Sequence, residues 1–257
     1  MAITDHDTTA GWDEAVTALP TGMALVRGVE LSCEAVGESG REVTVHLLAH
    51  LVDPAHPELA AELVRLRGER VRRLRVMAER MAADGLPIEP DAVLAAAGEA
   101  GGRPHLGRAL IGAGVVTSME EAFAGVLSRA GGYYEDKQDI PLLDAVRIVA
   151  AAGGSSTLAH CRARTRGGVL SVAAIVELAE AGLVGLEVDH LDHAAADRVL
   201  LRGMAAELGL VSTGSSDYHG TNKTVRLGDE TTAVEQYDEL VSRASGVPVV
   251  YGPAMRG

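Results

Sequence analysis

Short apolar runs alternate with helical patterns along most of the chain. Strand-like runs fall at residues 2–4, 23–31, 43–48, 156–159, 184–188, 210–213 and 247–251. Between them the apolar positions take helical spacing at residues 12–19, 141–152, 170–181, 194–208 and 233–242. Strands alternating with helices predict an α/β fold: a largely parallel sheet or barrel with helices outside. The pattern changes at Pro57. A long helical segment runs to Gly85 and Pro87, and further helices follow at 90–100, 105–111 and 119–129, with no strand between them. The expected organisation is therefore residues 1–56 and 135–257 as one α/β body, with residues 57–134 as an all-helical insertion read as a cap.

Composition narrows the function classes. The 257 residues carry 23 Lys and Arg against 36 Asp and Glu, a formal net charge of −13. Binding to nucleic acid by bulk charge needs a basic surface, so no stable nucleic-acid complex is expected. A short nucleotide gripped by a local basic patch remains compatible. With two cysteines, Cys33 and Cys161, a disulfide framework and a four-cysteine zinc site are excluded. The most apolar stretch, residues 169–188, is interrupted by Glu177, Glu180 and Glu187, so no membrane partner is expected. The opening MAITDHD lacks the basic and apolar regions of a signal peptide. These features together predict a soluble cytoplasmic protein; the oligomeric state is left open.

Candidate chemistry gathers at one recurring place, the ends of strand-like runs. Asp5, His6 and Asp7 follow the first run, and Glu30 and His46 lie in the second and third. His160 ends the fourth run, and Asp217 and His219 follow the sixth. In α/β barrels the strand C-termini build the active site. Imidazole nitrogens and carboxylate oxygens gathered there suit divalent metals. Glu30 could bridge two ions about 3.5–4 Å apart, which together generate a hydroxide and stabilise the oxygens of a phosphoryl displacement. Each motif has a plainer reading alone: His46 as a hydrogen-bonded strand residue, TDHD as a helix cap, SSDYHG as a turn. Five of them on successive strand ends favour the chemical reading.

The segments ITDHDTTAGWDEA, RGVELS, VTVHLLAH, GSSTLAHC and GSSDYHG resemble, in order and spacing, the motifs of the polymerase and histidinol phosphatase (PHP) superfamily. The resemblance runs from Ile3 to about Gly220. It is nearest to the subfamily with a helical insertion, whose members hydrolyse nucleoside 3′,5′-bisphosphates and trim short 5′-phosphorylated oligonucleotides. Arg103-Pro104-His105 matches an element of that insertion. The resemblance implies a distorted (β/α)7 barrel lacking its first strand and a metal-dependent phosphoesterase with two or three divalent ions, manganese first, zinc or iron as alternatives. It implies His6, Glu30, His46, His160, Asp217 and His219 as metal ligands, with His6, Glu30, Asp217 and His219 catalytic. Asp5 would orient His6 rather than ligate. Arg103 and His105 would contact substrate, and Lys137 is a weaker candidate. Cys161 stands where relatives carry proline and is read as a small buried residue. His50 stands where relatives carry an aromatic and is left outside the site.

The superfamily's opening His-x-His strand has no counterpart here, since none of the nine histidines is so spaced. This implies either a start further upstream or a weakened site, with low metal content and slow turnover for the chain as given. Seven arginines lie between Arg65 and Arg80 on one predicted helix, whose apolar face is Leu66, Val71, Leu74, Met77 and Met81. They are either a solvated face with partners such as Glu69 for Arg73 or a guanidinium surface for phosphate. The expected substrate is a nucleotide or short oligonucleotide. The alternatives are a small-molecule phosphatase of histidinol-phosphate type and a non-catalytic PHP domain.

Overall fold

The computed structural model describes residues 1–98, 101–164, 169–220 and 224–254. In chain order the elements are β1 (Ala2–Ile3), α1 (Trp12–Thr17), β2 (Ala24–Val36), β3 (Glu42–His50), α2 (Pro57–Ala83), α3 (Pro90–Ala97), α4 (Arg103–Gly112) and α5 (Met119–Ala124). These are followed by β4 (Ile140–Pro141), α6 (Leu142–Ala151), β5 (Ser155–Ala159), α7 (Val172–Glu180), β6 (Gly185–Asp189), α8 (Ala195–Leu208), β7 (Val211–Gly214), α9 (Val234–Ser242) and β8 (Val250–Tyr251). Glu99 and Ala100, the last residues of the helix predicted over 90–100, lie outside the described residues. The chain forms two compact units, Met1–Leu63 with Asp139–Gly257, and Val64–Gln138. No helix among the described residues is long and apolar enough to cross a membrane.

The first unit is built on a curled, open sheet in the order β1-β2-β3-β5-β6-β7, with β4 and β8 also pairing β2. The α/β class is as the pattern predicted, but the sheet is mixed rather than largely parallel. β5, β6 and β7 run parallel, whereas β3 is antiparallel to both β2 and β5. The loop between β2 and β3 gives the reason. It closes with Gly37 N–H on the Arg41 carbonyl at 2.9 Å and is far too short for the crossover that a parallel pair needs. β2 is also longer than the apolar run suggested, because its polar end, Ser32 to Val36, still pairs with β3 from His46 to Glu42. Gly28 lets three chain segments meet: a Cβ there would stand 2.8 Å from the Ala49 carbonyl oxygen and 2.9 Å from the Thr4 methyl. Its own carbonyl accepts the Trp12 indole N–H at 2.9 Å, docking α1 on β2.

The helices of this unit follow from their apolar spacing. α6 buries Leu142, Ala145, Val146 and Val149, one helical stripe. α7 starts where Ser171 accepts the Ala174 N–H, and α8 stops at Gly209 in the left-handed conformation. β5, packed on both faces, buries all five of its residues.

The second unit has its own core, which includes Leu74, Met77, Met81, Leu106, Leu110 and Leu127. The predicted apolar face of α2 holds except at Val71, which is only half-buried, while Ala78 joins the core. Glu69 pairs with Arg72 at 3.0 Å. Arg72 and Arg80 also grip the two oxygens of Glu135, each at 2.7 Å, so the segment returning from the last helix lies along α2. α5 ends five residues before the predicted boundary, at Gly125, and a 3₁₀ turn follows at Arg129–Gly131.

Candidate metal centre

The site is assembled in the first unit, beginning where β1 ends. The chain leaves β1 but stays in register with β2: Glu30 N–H donates to the Asp5 carbonyl at 3.1 Å and Asp7 N–H to the Glu30 carbonyl at 3.0 Å. His6 is thus bridged to Glu30 across the ladder. Asp7 then turns through a left-handed conformation, φ 56°. Its fully buried carboxylate accepts the Ser32 N–H at 2.8 Å and the Ser32 hydroxyl at 2.9 Å. These bonds clip the short opening segment to β2 and carry His6 into place. Asp5 bonds β2 through its carbonyl; its side chain is exposed by area, yet partial burial raises its pKa, and the His219 and Glu30 charges both reach it.

Glu30 is the centre of the cluster. One carboxylate oxygen, Oε1, lies 2.7 Å from His46 Nδ1 and 3.4 Å from His160 Nε2. The other, Oε2, lies 3.7 Å from His6 Nδ1. Burial works to raise the Glu30 pKa, but the His6 and His46 charges and the hydrogen bonds from His160 and His46 outweigh it and hold the carboxyl well below its usual range. The imidazole rings pack edge to face, with centroids 4.8 Å apart for His6 and His46 and 5.2 Å for His46 and His160.

The second wing comes from β5, β6 and β7. His160 leaves β5 with φ 30°, and its N–H donates to Glu187 Oε2 at 2.6 Å. Glu187 is buried in β6 and anchors this strained turn. Asp217 also has a positive φ, 49°. Its Oδ1 lies 3.2 Å from His219 Nδ1 and its Oδ2 3.5 Å from His190 Nε2. The His219 ring stands 6.2 Å from that of His6, which links the two wings. Non-glycine residues with positive φ store strain that the surroundings must hold, and such residues concentrate at functional sites.

All six expected ligand positions therefore fall in this one cluster. The part that three residues play in building it escaped the sequence reading. Glu187 looked like an interruption of an apolar run, although a carboxylate in a buried strand is itself a signal. Asp7 was hidden in the TDHD motif beside His6. His190 follows β6 as the other site residues follow their strands, so the same strand-end argument would have found it. Cys161, next to His160, is a buried thiol whose pKa burial, and then Glu187, push up to about 12. It is no thiolate and fits the small buried residue expected there.

Arg103, His105 and Lys137 lie in the second unit. The Arg103 guanidinium sits 5.1 Å from the centre of the Phe123 ring and 5.4 Å from that of Tyr134. Arg73 and Arg129 lie over the same Tyr134 ring at 4.7 and 4.5 Å. Burial, and then the Arg73 charge, lower the Arg103 pKa to about 10. His105 engages the Gly102 main chain through Nδ1 at 3.2 Å, and Lys137 is half-buried in the returning loop.

The donor chemistry suits a divalent ion. His6, Glu30 and His46 each offer one ligand atom, and these lie within 4.8 Å of one another. Two imidazole nitrogens with an ionised carboxylate make a set that zinc, manganese or iron accepts.

No protein-family profile matches the chain. Individual proteins do. It is 33% identical over 222 residues to the 3′,5′-nucleoside bisphosphate phosphatase of Chromobacterium violaceum, a match covering 85% of this chain and 76% of that protein. It is 27% identical over 236 residues to a 5′-3′ exoribonuclease of Haemophilus influenzae, covering 91% and 84%. A crystal structure from Bifidobacterium adolescentis, described as a metal-dependent phosphoesterase, superposes with a TM-score of 0.86 at 35% identity over 95% of this chain and 85% of that one. This identity and superposition, with a histidine and carboxylate cluster at the strand ends of a curled α/β sheet, make the chain a member of the PHP-like superfamily of metal-dependent phosphoesterases, related to the nucleoside bisphosphate phosphatases and 5′-3′ exoribonucleases.

Proposed function

We propose that this protein hydrolyses phosphate esters of nucleotides, either 3′,5′-bisphosphonucleotides or short 5′-phosphorylated oligonucleotides. His6, Glu30, His46, His160, Asp217 and His219 would hold two or three divalent ions, manganese first. The observation that carries this reading is the disposition of Glu30, whose two oxygens face different imidazoles. A carboxylate so placed suits a bridging role, and its low pKa keeps it anionic and ready to bind a cation. A bound ion would supply the charge that polarises a phosphoryl oxygen and acidifies a water. The chain's own part is to fix the donors: Asp7 through Ser32, and Glu187 through the His160 amide.

A phosphate-contacting role for Arg103, with His105 and Lys137 beside it, belongs to the same reading. Arg73, Arg103 and Arg129 crowd around one tyrosine ring, with Arg129 also paired to Asp136 at 2.7 Å, and guanidinium groups so gathered suit the recognition of phosphate. The second reading is a non-catalytic domain of the same fold, favoured by the lack of any His-x-His in this chain.

Metal content by elemental analysis and turnover on a panel decide between them. The panel contains a 3′,5′-bisphosphonucleotide, a 5′-phosphorylated oligonucleotide and histidinol phosphate. Bound metal with turnover of the first two, abolished in Glu30→Gln, is expected. Turnover of histidinol phosphate alone would move the substrate to small phosphomonoesters. No metal and no turnover would favour the non-catalytic domain.

A further inference from the structure

The strand-end cluster holds another histidine, outside the six expected ligand positions, with a setting of its own. His190 follows β6, and its side chain is buried. Its carbonyl accepts Arg198 Nη2 at 2.6 Å and the His193 N–H at 3.0 Å. The preceding Asp189 is clamped by Arg202 at 2.7 Å and Arg198 at 3.5 Å. The main chain on both sides of the ring is thereby anchored.

The ring's two nitrogens have different tasks. Nδ1 accepts the N–H of Asp192 at 3.0 Å. A backbone amide can only donate, so Nδ1 carries the lone pair and the neutral ring carries its proton on Nε2. That Nε2 is buried with no hydrogen bond, and the nearby acceptor is Asp217 Oδ2 at 3.5 Å. With its Nδ1 lone pair committed to an amide, His190 has no lone pair on Nε2 to give a metal. It does have an N–H whose nitrogen stands 3.5 Å from a carboxylate oxygen, with the His160 ring centroid 5.4 Å from its own.

We propose that His190 is a positioning residue for Asp217, its Nε2–H orienting the carboxylate within the metal cluster. The inference rests on the reading of Asp217 as a ligand. The His219 Nδ1 engages the Asp217 carbonyl at 2.8 Å and lies 3.2 Å from Oδ1, and His190 adds a constraint on the other carboxylate oxygen. Outer partners of this kind typically change metal affinity by about 10–100-fold.

Calorimetric titration of the full chain with Mn²⁺, beside thermal melting by circular dichroism, tests this with His190→Leu and His190→Gln. Glutamine can place an amide N–H near Nε2. His190→Leu should weaken Mn²⁺ binding about 10-fold or more with little change in Tm, and His190→Gln should recover most of the loss. Equal losses in both variants, or none in His190→Leu, overturn the proposal. Two controls separate it from the reading beneath it. If Asp217→Asn binds Mn²⁺ as wild type does while Glu30→Gln does not, the metal cluster stands and the role of His190 falls. If wild type binds no Mn²⁺, both fall. Should His190→Leu fail to fold, nitrogen-15 imidazole spectra of the wild type decide: Nε2–H with a bare Nδ1 is expected, and the opposite tautomer overturns the proposal.

Discussion

His50 closes β3 with its ring buried and its Nδ1 without a hydrogen bond, and burial lowers its pKa to about 4. The unfolded chain protonates this imidazole near its ordinary value of about 6.5. Between those values the unfolded state binds the extra proton. Stability is therefore fully present above about pH 6.5 and is lost as pH falls towards 4, by roughly 3 kcal/mol in all. His50→Phe should flatten this part of the pH profile, as measured by urea unfolding at a series of pH values. Parallel profiles for variant and wild type would refute it. At the same scale, Arg103→Ala should lower kcat/KM for a 3′,5′-bisphosphonucleotide by about 10-fold or more, since a charge-assisted hydrogen bond is worth about 1.5–3 kcal/mol. Unchanged kinetics would leave Arg103 as a packing residue between Phe123 and Tyr134.

The joint between the opening segment and β2 is an element with little to hold it. β1 makes two register pairs with β2, and beyond them the attachment consists of the main-chain bridge of His6 to Glu30 and the side-chain clip of Asp7 on Ser32. Asp7→Ala removes both side-chain bonds to buried Ser32. The expected cost is about 2–3 kcal/mol in urea unfolding, together with weaker Mn²⁺ binding, because His6 loses its anchor. A stability loss with unchanged Mn²⁺ affinity would mean that His6 is positioned independently of this clip. Glu187 does the corresponding work on the other wing, where a side chain of β6 holds the turn after β5.

For the molecule as a whole, a metal bound only by the folded state adds stability by mass action. At 100 times the dissociation constant the gain is about 2.7 kcal/mol. Mn²⁺ should therefore raise Tm in wild type, a chelator should reverse the rise, and Glu30→Gln should show neither response. An equal rise in Glu30→Gln would place the binding elsewhere. The acidic balance of the chain, −13, makes this control necessary, because exposed carboxylates can also attract cations.

The alternation of apolar runs and helical patterns determined the α/β class and nearly every element, because burial of one helical stripe or of a whole strand leaves a local imprint. α6 and β5 are clear cases. The placement of His6, Glu30, His46, His160, Asp217 and His219 after or within strands was legible for the same reason. What the chain alone did not show is which side chains hold the others. Asp7 meets Ser32 across 25 positions, Glu187 meets the His160 amide across 27, and His190 meets Asp217 only once β6 and β7 lie side by side. The mixed direction of the sheet was also settled by folding, since a short turn forces β2 and β3 antiparallel whatever their composition. Local pattern records what a residue buries; only the tertiary structure decides which distant polar group it meets, because a hydrogen bond depends on position and direction that no periodicity encodes.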